Sequence, residues 1–103
     1  MVVTEEINQG DILKIEKIKV PVFVASKNIF NQSGEIIGCP IYIEGQQGPL
    51  HIQVDAEGIS GTVQCEKMRL LDLRMRGCYK IGRARLADIM EVTDAIQSIF
   101  DYV

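Results

Sequence analysis

Residues 50–65 read Leu50-His51-Ile52-Gln53-Val54-Asp55-Ala56-Glu57-Gly58-Ile59-Ser60-Gly61-Thr62-Val63-Gln64-Cys65. The first five residues alternate between apolar and polar side chains, which is typical of a strand that buries one face, and His51 and Gln53 fall on the exposed face. Residues 55–58 have the composition of a turn, and residues 61–65 predict the next strand. Two strands joined by so short a turn pair antiparallel, because a parallel pair needs a long crossover connection.

Short strands and turns fill most of the chain on either side of this pair. Stretches rich in apolar and β-branched residues predict further strands at residues 12–18, 22–25, 36–43 and 78–81. Residues 26–31 predict a helical turn capped by Ser26, and residues 67–73 fit either a helical turn or a strand. No connection leaves room for a crossover helix, so we expect a mainly β (α+β) fold: a small, twisted, antiparallel barrel-like sheet with a short helix.

A C-terminal α-helix closes the chain. From Arg85 onwards, apolar residues recur at spacings of three and four, and the face that they define consists of Leu86, Ile89, Thr93, Ile96 and Phe100. The acidic residues of this segment are expected on or near the other side, and they are Asp88, Glu91, Asp94 and Asp101. We expect the apolar face to pack on the sheet or to form a dimer contact.

The charge of the chain is unevenly distributed. The net charge is −3 over the 103 residues. These residues are expected to form one domain, 1–103, in which residues 1–9 are loose. Residues 64–85 carry seven bases and two acids, whereas residues 86–103 carry four acids and no base. A basic segment of this kind can face phosphates, as in nucleic-acid binding; a solvated surface with charges of both signs is the alternative.

Several classes of protein are excluded by composition. No apolar run approaches the roughly 20 residues of a membrane-spanning helix, and the first ten residues carry two glutamates and no base, unlike a signal peptide, so we expect a cytoplasmic protein. Cys39, Cys65 and Cys78 include no Cys-x-x-Cys pair and are interpreted as small, partly buried apolar residues. With a single histidine and no phosphate-binding glycine motif, we expect neither a metal ion nor a cofactor.

Metal-independent RNA cleavage requires few groups. A base removes the proton of the ribose 2′-hydroxyl, an acid protonates the leaving 5′-oxygen, and a cation stabilises the charged phosphorane. Glu66, which lies beside the basic segment, is the candidate carboxylate, whereas His51 is interpreted as a solvated strand residue. The hydroxyl and cationic candidates are Tyr42, Ser60, Thr62, Lys17, Lys19, Arg69, Arg74 and Arg76.

The order of several short motifs resembles one known family. The motifs are Gly10-Asp11-Ile12, Pro21-Val22-Phe23-Val24, Cys39-Pro40-Ile41 and Arg76-Gly77. The most specific block runs from Gly61 to Asp72, where Arg69-x-x-Asp72 follows the acidic Glu66. Over about residues 10–102, the chain resembles the MazF/PemK/Kid family of toxin–antitoxin growth inhibitors, and it is most similar to the Kid-like branch.

The resemblance implies a homodimer with the SH3-like, MazF/PemK/CcdB-type sheet. It also implies the toxin of a type II toxin–antitoxin pair: a growth-inhibiting, metal-independent endoribonuclease that cuts single-stranded RNA at short sequences and needs no cofactor. The partners would be an antitoxin protein and, only through the antitoxin complex, operator DNA. Carried onto this sequence, the resemblance assigns catalysis to Glu66, Ser60, Gln64, Lys19 and Tyr42, and RNA binding to Lys17, Lys67, Arg74 and Arg76.

Three positions depart from the family pattern. Val20 stands where the family has an arginine before the proline, Tyr42 where it has a threonine, and Gln64 where the Kid-like branch has an arginine. The loop between the first two strands is also short. A second hypothesis is therefore a catalytically inactive family member that serves as a dimeric binding module for an antitoxin or nucleic acid. A third is the inhibition of a protein target such as a DNA gyrase.

Overall fold

A computed structural model describes residues 6–100 of the chain. This part forms seven strands, two α-helices and a 3-10 helix. In chain order they are β1 (Asp11–Ile15), β2 (Val22–Val24), α1 (Asn28–Asn31), β3 (Glu35–Tyr42), β4 (His51–Ala56), β5 (Ile59–Gln64), the 3-10 helix (Cys65–Lys67), β6 (Arg69–Asp72), β7 (Cys78–Arg83) and α2 (Leu86–Ile99). Residues 67–73 thus contain the end of a helical turn followed by a strand, which are the two structures that the sequence left open.

The strands pair antiparallel throughout, in the order β4-β5-β3-β2-β1-β7, with β6 joined to β3. β3 is shared by two sheets, because its first four residues pair with β6 and its last two pair with β5. The sheet therefore curls into a half-barrel, and α2 packs on β4 and the 3-10 helix. This confirms the expected mainly β fold with a C-terminal helix.

Two apolar clusters hold the sheet. The first lies under α2 and includes the fully buried side chains of Phe23, Val63 and Val92. The second joins β1, β2, β3, β6 and β7, and it includes Leu13 and Ile36. Burying one side chain of this size contributes about 1.5–3 kcal/mol, so the clusters fix the strands rigidly enough to position side chains on the outer face.

The buried face of α2 differs from the predicted stripe. Ile89 and Val92 are buried, but Leu86 is 71% exposed and Phe100 is 69% exposed. The prediction is wrong at the two ends of the helical segment, because the residues that α2 buries against β4 and the 3-10 helix lie between Asp88 and Ala95. A periodicity of three and four identifies an amphipathic helix, but it does not show how far the supporting sheet extends.

Two other local predictions are corrected. Asp88 was expected on or near the solvent side, yet it is buried, and its Oδ2 lies 3.4 Å from Nε of Arg85. Ser26 does not cap α1; its hydroxyl instead accepts a hydrogen bond of 2.9 Å from the N–H of Ile37, which fixes α1 against β3. Asp101, which was placed with the acidic side chains of α2, lies outside the described residues.

The segment before β1 is anchored where the structure describes it. Of residues 1–9, which we expect to be loose, residues 1–5 lie outside the described part, whereas Ile7 is buried. Gly10 has φ +92°, and a Cβ at this position would collide with Ile89, so a glycine is needed where α2 meets β1. Between residues 6 and 100, no helix is long and apolar enough to cross a membrane.

Candidate active site

The outer face of β3, β4 and β5 carries a block of polar side chains. Directly paired residues of antiparallel strands point to the same face, so the register places Tyr42 beside Thr62, and His51 beside Gln64. The loop between β3 and β4 folds over part of this face, because a Cβ at Gly45 would lie 2.7 Å from Cβ of Thr62. Thr62 is therefore buried, and the face remains open around the other three side chains.

Glu66 forms a hydrogen-bonded pair with a histidine. The 3-10 helix that follows β5 turns Glu66 toward β4, and its Oε2 lies 2.7 Å from Nε2 of His51. The other ring nitrogen, Nδ1, lies 2.6 Å from the backbone oxygen of Gln46 in the β3–β4 loop. The hydrogen bond with Glu66, followed by that with Gln46, raises the pKa of His51 above its ordinary value of 6.5. The same bond with His51 lowers the pKa of Glu66, so the carboxylate is charged at neutral pH.

Tyr42 and Lys67 form a ridge between two grooves. Nζ of Lys67 lies 5.2 Å from the centre of the Tyr42 ring, which is within cation–π distance. On one side lies a groove of about 660 Å³ that contains His51, Glu66 and Gln64, and we call it the dyad groove. Because Tyr42 and Lys67 line both grooves, a ligand in either groove contacts them.

The groove on the other side of the ridge is positively charged. Its volume is about 550 Å³, and we call it the basic groove; the cations that line it are Lys17, Lys19, Lys67 and Arg69. No acidic residue lines it, and its floor is formed by side chains and backbone of Val22, Gly38, Pro40 and Leu71. An extended polyanion fits such a surface, because cations neutralise its phosphates while apolar groups contact its sugars and bases.

Two of the three lysines of the basic groove, Lys17 and Lys19, lie in the tight connection between β1 and β2. Lys17 adopts a left-handed backbone conformation with φ +69°, which reverses the chain within a few residues. Nζ of Lys14 donates hydrogen bonds to the backbone oxygens of Ile18 and Lys19 at 3.3 and 3.2 Å, and these bonds brace the turn. The short loop noted in the sequence therefore still delivers Lys17 and Lys19 to the groove.

Three of the predicted site residues line neither the dyad groove nor the basic groove. Ser60 lies at the turn end of β5, where its hydroxyl donates to Asp55 Oδ1 at 3.1 Å. It is four positions from Gln64 along the strand, which corresponds to about 13 Å. Arg74 lies beyond β6, and its Nη2 is 3.0 Å from Oδ2 of Asp72. Arg76 lies in the β6–β7 turn and lines neither the dyad groove nor the basic groove.

The remaining candidates come together around the ridge. Glu66 and Gln64 line the dyad groove, Lys17 and Lys19 line the basic groove, and Tyr42 and Lys67 line both. Val20, which stands at a family arginine position, lies in the basic groove without a charge.

His51 is the residue whose contact with Glu66 is not predicted from the sequence. It was interpreted as solvated because strand alternation gave it an exposed face, and its side chain is in fact only 17% exposed. The signal that finds it is the strand register: His51 pairs with Gln64, two residues before Glu66. That register, together with the 3-10 helix after β5, brings the two side chains together.

The cysteines and the acidic residues are relevant to two further kinds of chemistry, that of a thiol nucleophile and that of a metal site. Cys39, Cys65 and Cys78 are free and buried, as expected from their interpretation as apolar residues. Burial raises the pKa of Cys39 to about 12 and that of Cys65 to about 11, so these thiols stay protonated and are poor nucleophiles. Within residues 6–100, no group of three His, Cys, Asp or Glu side chains is arranged to hold a metal ion.

Comparison with known protein families identifies the chain. The sequence profile of PemK-like, MazF-like toxins of type II toxin–antitoxin systems matches residues 6–100. The chain belongs to this family. The match includes both grooves and confirms the resemblance carried by the sequence motifs, while membership of the Kid-like branch stays a prediction. A comparison with curated proteins finds no match.

Solved structures of MazF toxins have the same fold as this MazF-like chain. A MazE–MazF complex from Deinococcus radiodurans is similar with a TM-score of 0.83 and 23% identity, over 92% of this chain and 96% of that one. An endoribonuclease from Mycobacterial species is similar with a TM-score of 0.79 and 14% identity, over 91% and 90%. The same comparison finds a Mycobacterial endoribonuclease in complex with its cognate antitoxin, with a TM-score of 0.80, 13% identity, and coverage of 94% and 99%. At these identities, the likeness establishes the half-barrel fold.

Proposed function

We propose that this toxin cleaves single-stranded RNA without a metal ion. The observation that carries the proposal is the position of the Glu66–His51 pair next to the basic groove, separated from it only by the Tyr42–Lys67 ridge. The basic groove attracts the phosphates of a strand, because binding releases the counterions condensed on it. A strand that crosses the ridge brings a ribose and its phosphate to the charged Glu66 carboxylate.

The chemistry divides among groups at the ridge. Glu66 accepts the proton of the ribose 2′-hydroxyl, for which its charged state is required. The 2′-oxygen then forms a bond to phosphorus and the bond from phosphorus to the 5′-oxygen breaks, which leaves a 2′,3′-cyclic phosphate and a 5′-hydroxyl. Lys67 and Lys19 stabilise the negative charge of the phosphorane. The Tyr42 hydroxyl donates a proton to the leaving 5′-oxygen, since this side chain lines both grooves.

We propose a homodimer and an antitoxin protein as the assembly partners. The MazF of Deinococcus radiodurans has been solved with MazE, and a Mycobacterial endoribonuclease with its cognate antitoxin. In this chain, the exposed apolar side chains Leu86 and Phe100 of α2 are suited to a protein contact. In this proposal, operator DNA is bound only through the antitoxin complex, and the protein cleaves its RNA substrate in the cytoplasm.

The proposal is tested by incubating the purified protein with a long single-stranded RNA in the presence of a chelator. The wild-type protein is expected to release fragments that end in a cyclic phosphate. Glu66→Gln is expected to lower the cleavage rate by about 100-fold or more, because an amide cannot act as the base. Glu57→Gln is the matched control, since Glu57 is exposed in the turn at the opposite end of β4 and β5.

Intact RNA after incubation with a folded wild-type protein would contradict the proposed activity. If the same protein still binds the RNA, the second hypothesis is favoured: a family member that acts as a dimeric binding module. The uncharged side chains of Val20 in the basic groove and Gln64 in the dyad groove are the observations that favour this alternative.

A further inference from the structure

The ring of His51 is held at both of its nitrogens, and the backbone of the residue is held as well. The backbone N–H of His51 donates to the carbonyl oxygen of Gly48 at 3.1 Å, which fixes the start of β4 against the β3–β4 loop. Nδ1 lies 2.6 Å from the backbone oxygen of Gln46, and Nε2 lies 2.7 Å from Oε2 of Glu66. The imidazole therefore bridges the β3–β4 loop and the 3-10 helix in a single orientation.

The two oxygens that face this ring can only accept hydrogen bonds. The backbone oxygen of Gln46 has no proton to donate, and Glu66 is a carboxylate at neutral pH. A neutral imidazole carries one N–H, so it would satisfy one oxygen and present a lone pair to the other. The imidazolium carries two N–H groups and donates to both. The geometry therefore selects the charged form of His51.

Charged groups from each neighbouring element act on this ring. Glu66 of the 3-10 helix contacts the ring and favours its positive charge, and Glu44 of the β3–β4 loop lines the same groove. Lys67 opposes it and lowers the pKa of His51, but by less than the two hydrogen bonds raise it. Tyr42 of β3 and Gln64 of β5 also line this groove, and the amide of Gln64 brings no charge to it.

We propose that His51 remains an imidazolium at neutral pH and is the positioning residue of Glu66, whose carboxylate it orients and whose charge it offsets. This inference rests on the proposed function, since it explains how a phosphodiester can approach a carboxylate. Two negative groups in contact repel each other, and Gln64 brings no positive charge to this part of the groove. Loss of the His51 proton would expose the charge of Glu66 and break one of the two hydrogen bonds. RNA affinity and cleavage therefore decrease as the pH rises through the pKa of His51.

The protonation of His51 can be measured directly, because it is the single histidine of the chain. In ¹H–¹⁵N spectra recorded across the neutral range, both ring nitrogens are expected to be protonated at pH 7, and the midpoint is expected above the ordinary 6.5. Glu66→Gln should move the midpoint back toward 6.5. Glu44→Gln removes a charge from the same groove without a hydrogen bond to the ring, and it should shift the midpoint less. A wild-type midpoint at or below pH 7 overturns the inference, because the ring would then be mostly neutral at neutral pH.

The role of this charge is tested with an oligonucleotide that cannot be cleaved. A 2′-O-methyl strand is expected to bind the wild-type protein more weakly as the pH rises through the His51 midpoint, and His51→Gln is expected to lack this step. If His51→Gln shows the same step as the wild type, the inference is overturned. Both readouts are independent of cleavage, so a failure to cut RNA refutes the proposed function while the titration and binding curves still decide the role of His51.

For a protein that cuts RNA, the pH profile gives a third readout. His51→Gln is expected to cleave more slowly and with a flat profile across the neutral range. Replacement by a permanent cation, His51→Lys, should restore part of the affinity for the 2′-O-methyl strand without restoring the pH step. A purely structural role for His51 would not produce this separation between charge and pH dependence.

Discussion

If the chain binds RNA as proposed, we expect the basic groove to set how strongly its RNA affinity depends on salt. Its four cations can each neutralise one phosphate: Lys17, Lys19, Lys67 and Arg69. For a single strand, about −0.7 per neutralised phosphate gives a slope of about −2.8 for log affinity against log salt. Affinity is then expected to fall about 50-fold between 50 and 200 mM salt. With Lys19→Ala, the slope becomes about −2.1 and the loss over the same range about 20-fold.

The slope is measured by fluorescence anisotropy with a labelled 2′-O-methyl strand over a series of salt concentrations at fixed pH. Lys27→Ala is the matched control, because Lys27 is exposed at the start of α1 and lines neither groove. Arg74→Ala is a second comparison, since the sequence assigns Arg74 to RNA binding whereas the structure pairs it with Asp72. Urea unfolding of each variant shows whether the folded state is retained.

Three results would refute the reasoning. A wild-type slope near zero would show that binding does not depend on phosphate neutralisation. An unchanged slope in Lys19→Ala would place the strand outside the basic groove. An equal decrease in Lys27→Ala would show that the slope reports the charge of the whole protein and carries no information about this groove.

Further predictions concern stability, pH and thiol reactivity. Gly61→Ala is expected to lower the free energy of unfolding by about 1–3 kcal/mol in urea titrations, because its Cβ would lie 2.7 Å from Cγ2 of Ile41 and 3.0 Å from the backbone oxygen of Tyr42; an unchanged midpoint would contradict this. His51→Gln should lower the free energy of unfolding most between about pH 4.5 and 6.5, where both partners of the ion pair are charged. The loss becomes smaller at higher pH, as the raised pKa of His51 is crossed, and at lower pH, as the lowered pKa of Glu66 is crossed. Equal losses at all pH values would argue against the ion pair. Iodoacetamide should label the buried cysteines slowly at pH 8 and rapidly in urea, because burial raises the pKa of Cys39 to about 12. Labelling is measured by mass spectrometry, and rapid labelling of the folded protein would contradict the burial.

The strands and the final helix can be predicted from the sequence, because each depends on a pattern of neighbouring residues. The alternation in residues 50–54 predicts β4, although the strand in fact runs from His51 to Ala56. The spacing after Arg85 predicts α2, but not which turns are buried, since that depends on the reach of β4 and the 3-10 helix. Asp88 illustrates the limit, because its side chain is buried although the side chain of its partner Arg85 is 70% exposed, and the spacing of apolar residues does not indicate this burial.

The candidate site is less predictable, because it depends on register and turn geometry. Glu66 is identified by its residue type and its basic surroundings, yet its partner His51 is found only when the β4–β5 register is known. Ser60 and Gln64 both lie in β5, and the sequence offers both as catalytic candidates. The two residues lie near opposite ends of the strand, so only Gln64 lines the dyad groove. Arg74 is removed from the groove by a local interaction, since Asp72 lies two residues away and binds its guanidinium.

The sharing of β3 between two sheets has a consequence for how the protein opens. β3 has β2 along one edge, and β6 followed by β5 along the other. Its central amides can therefore exchange with solvent only when both sheets separate, and they should be among the slowest in a hydrogen-exchange experiment. Tyr42 is the last residue of this strand and lines both grooves, so an opening that reached it would disturb both grooves at once. Because the centre of β3 opens only when both sheets separate, we expect this strand to resist proteolysis for as long as both sheets persist.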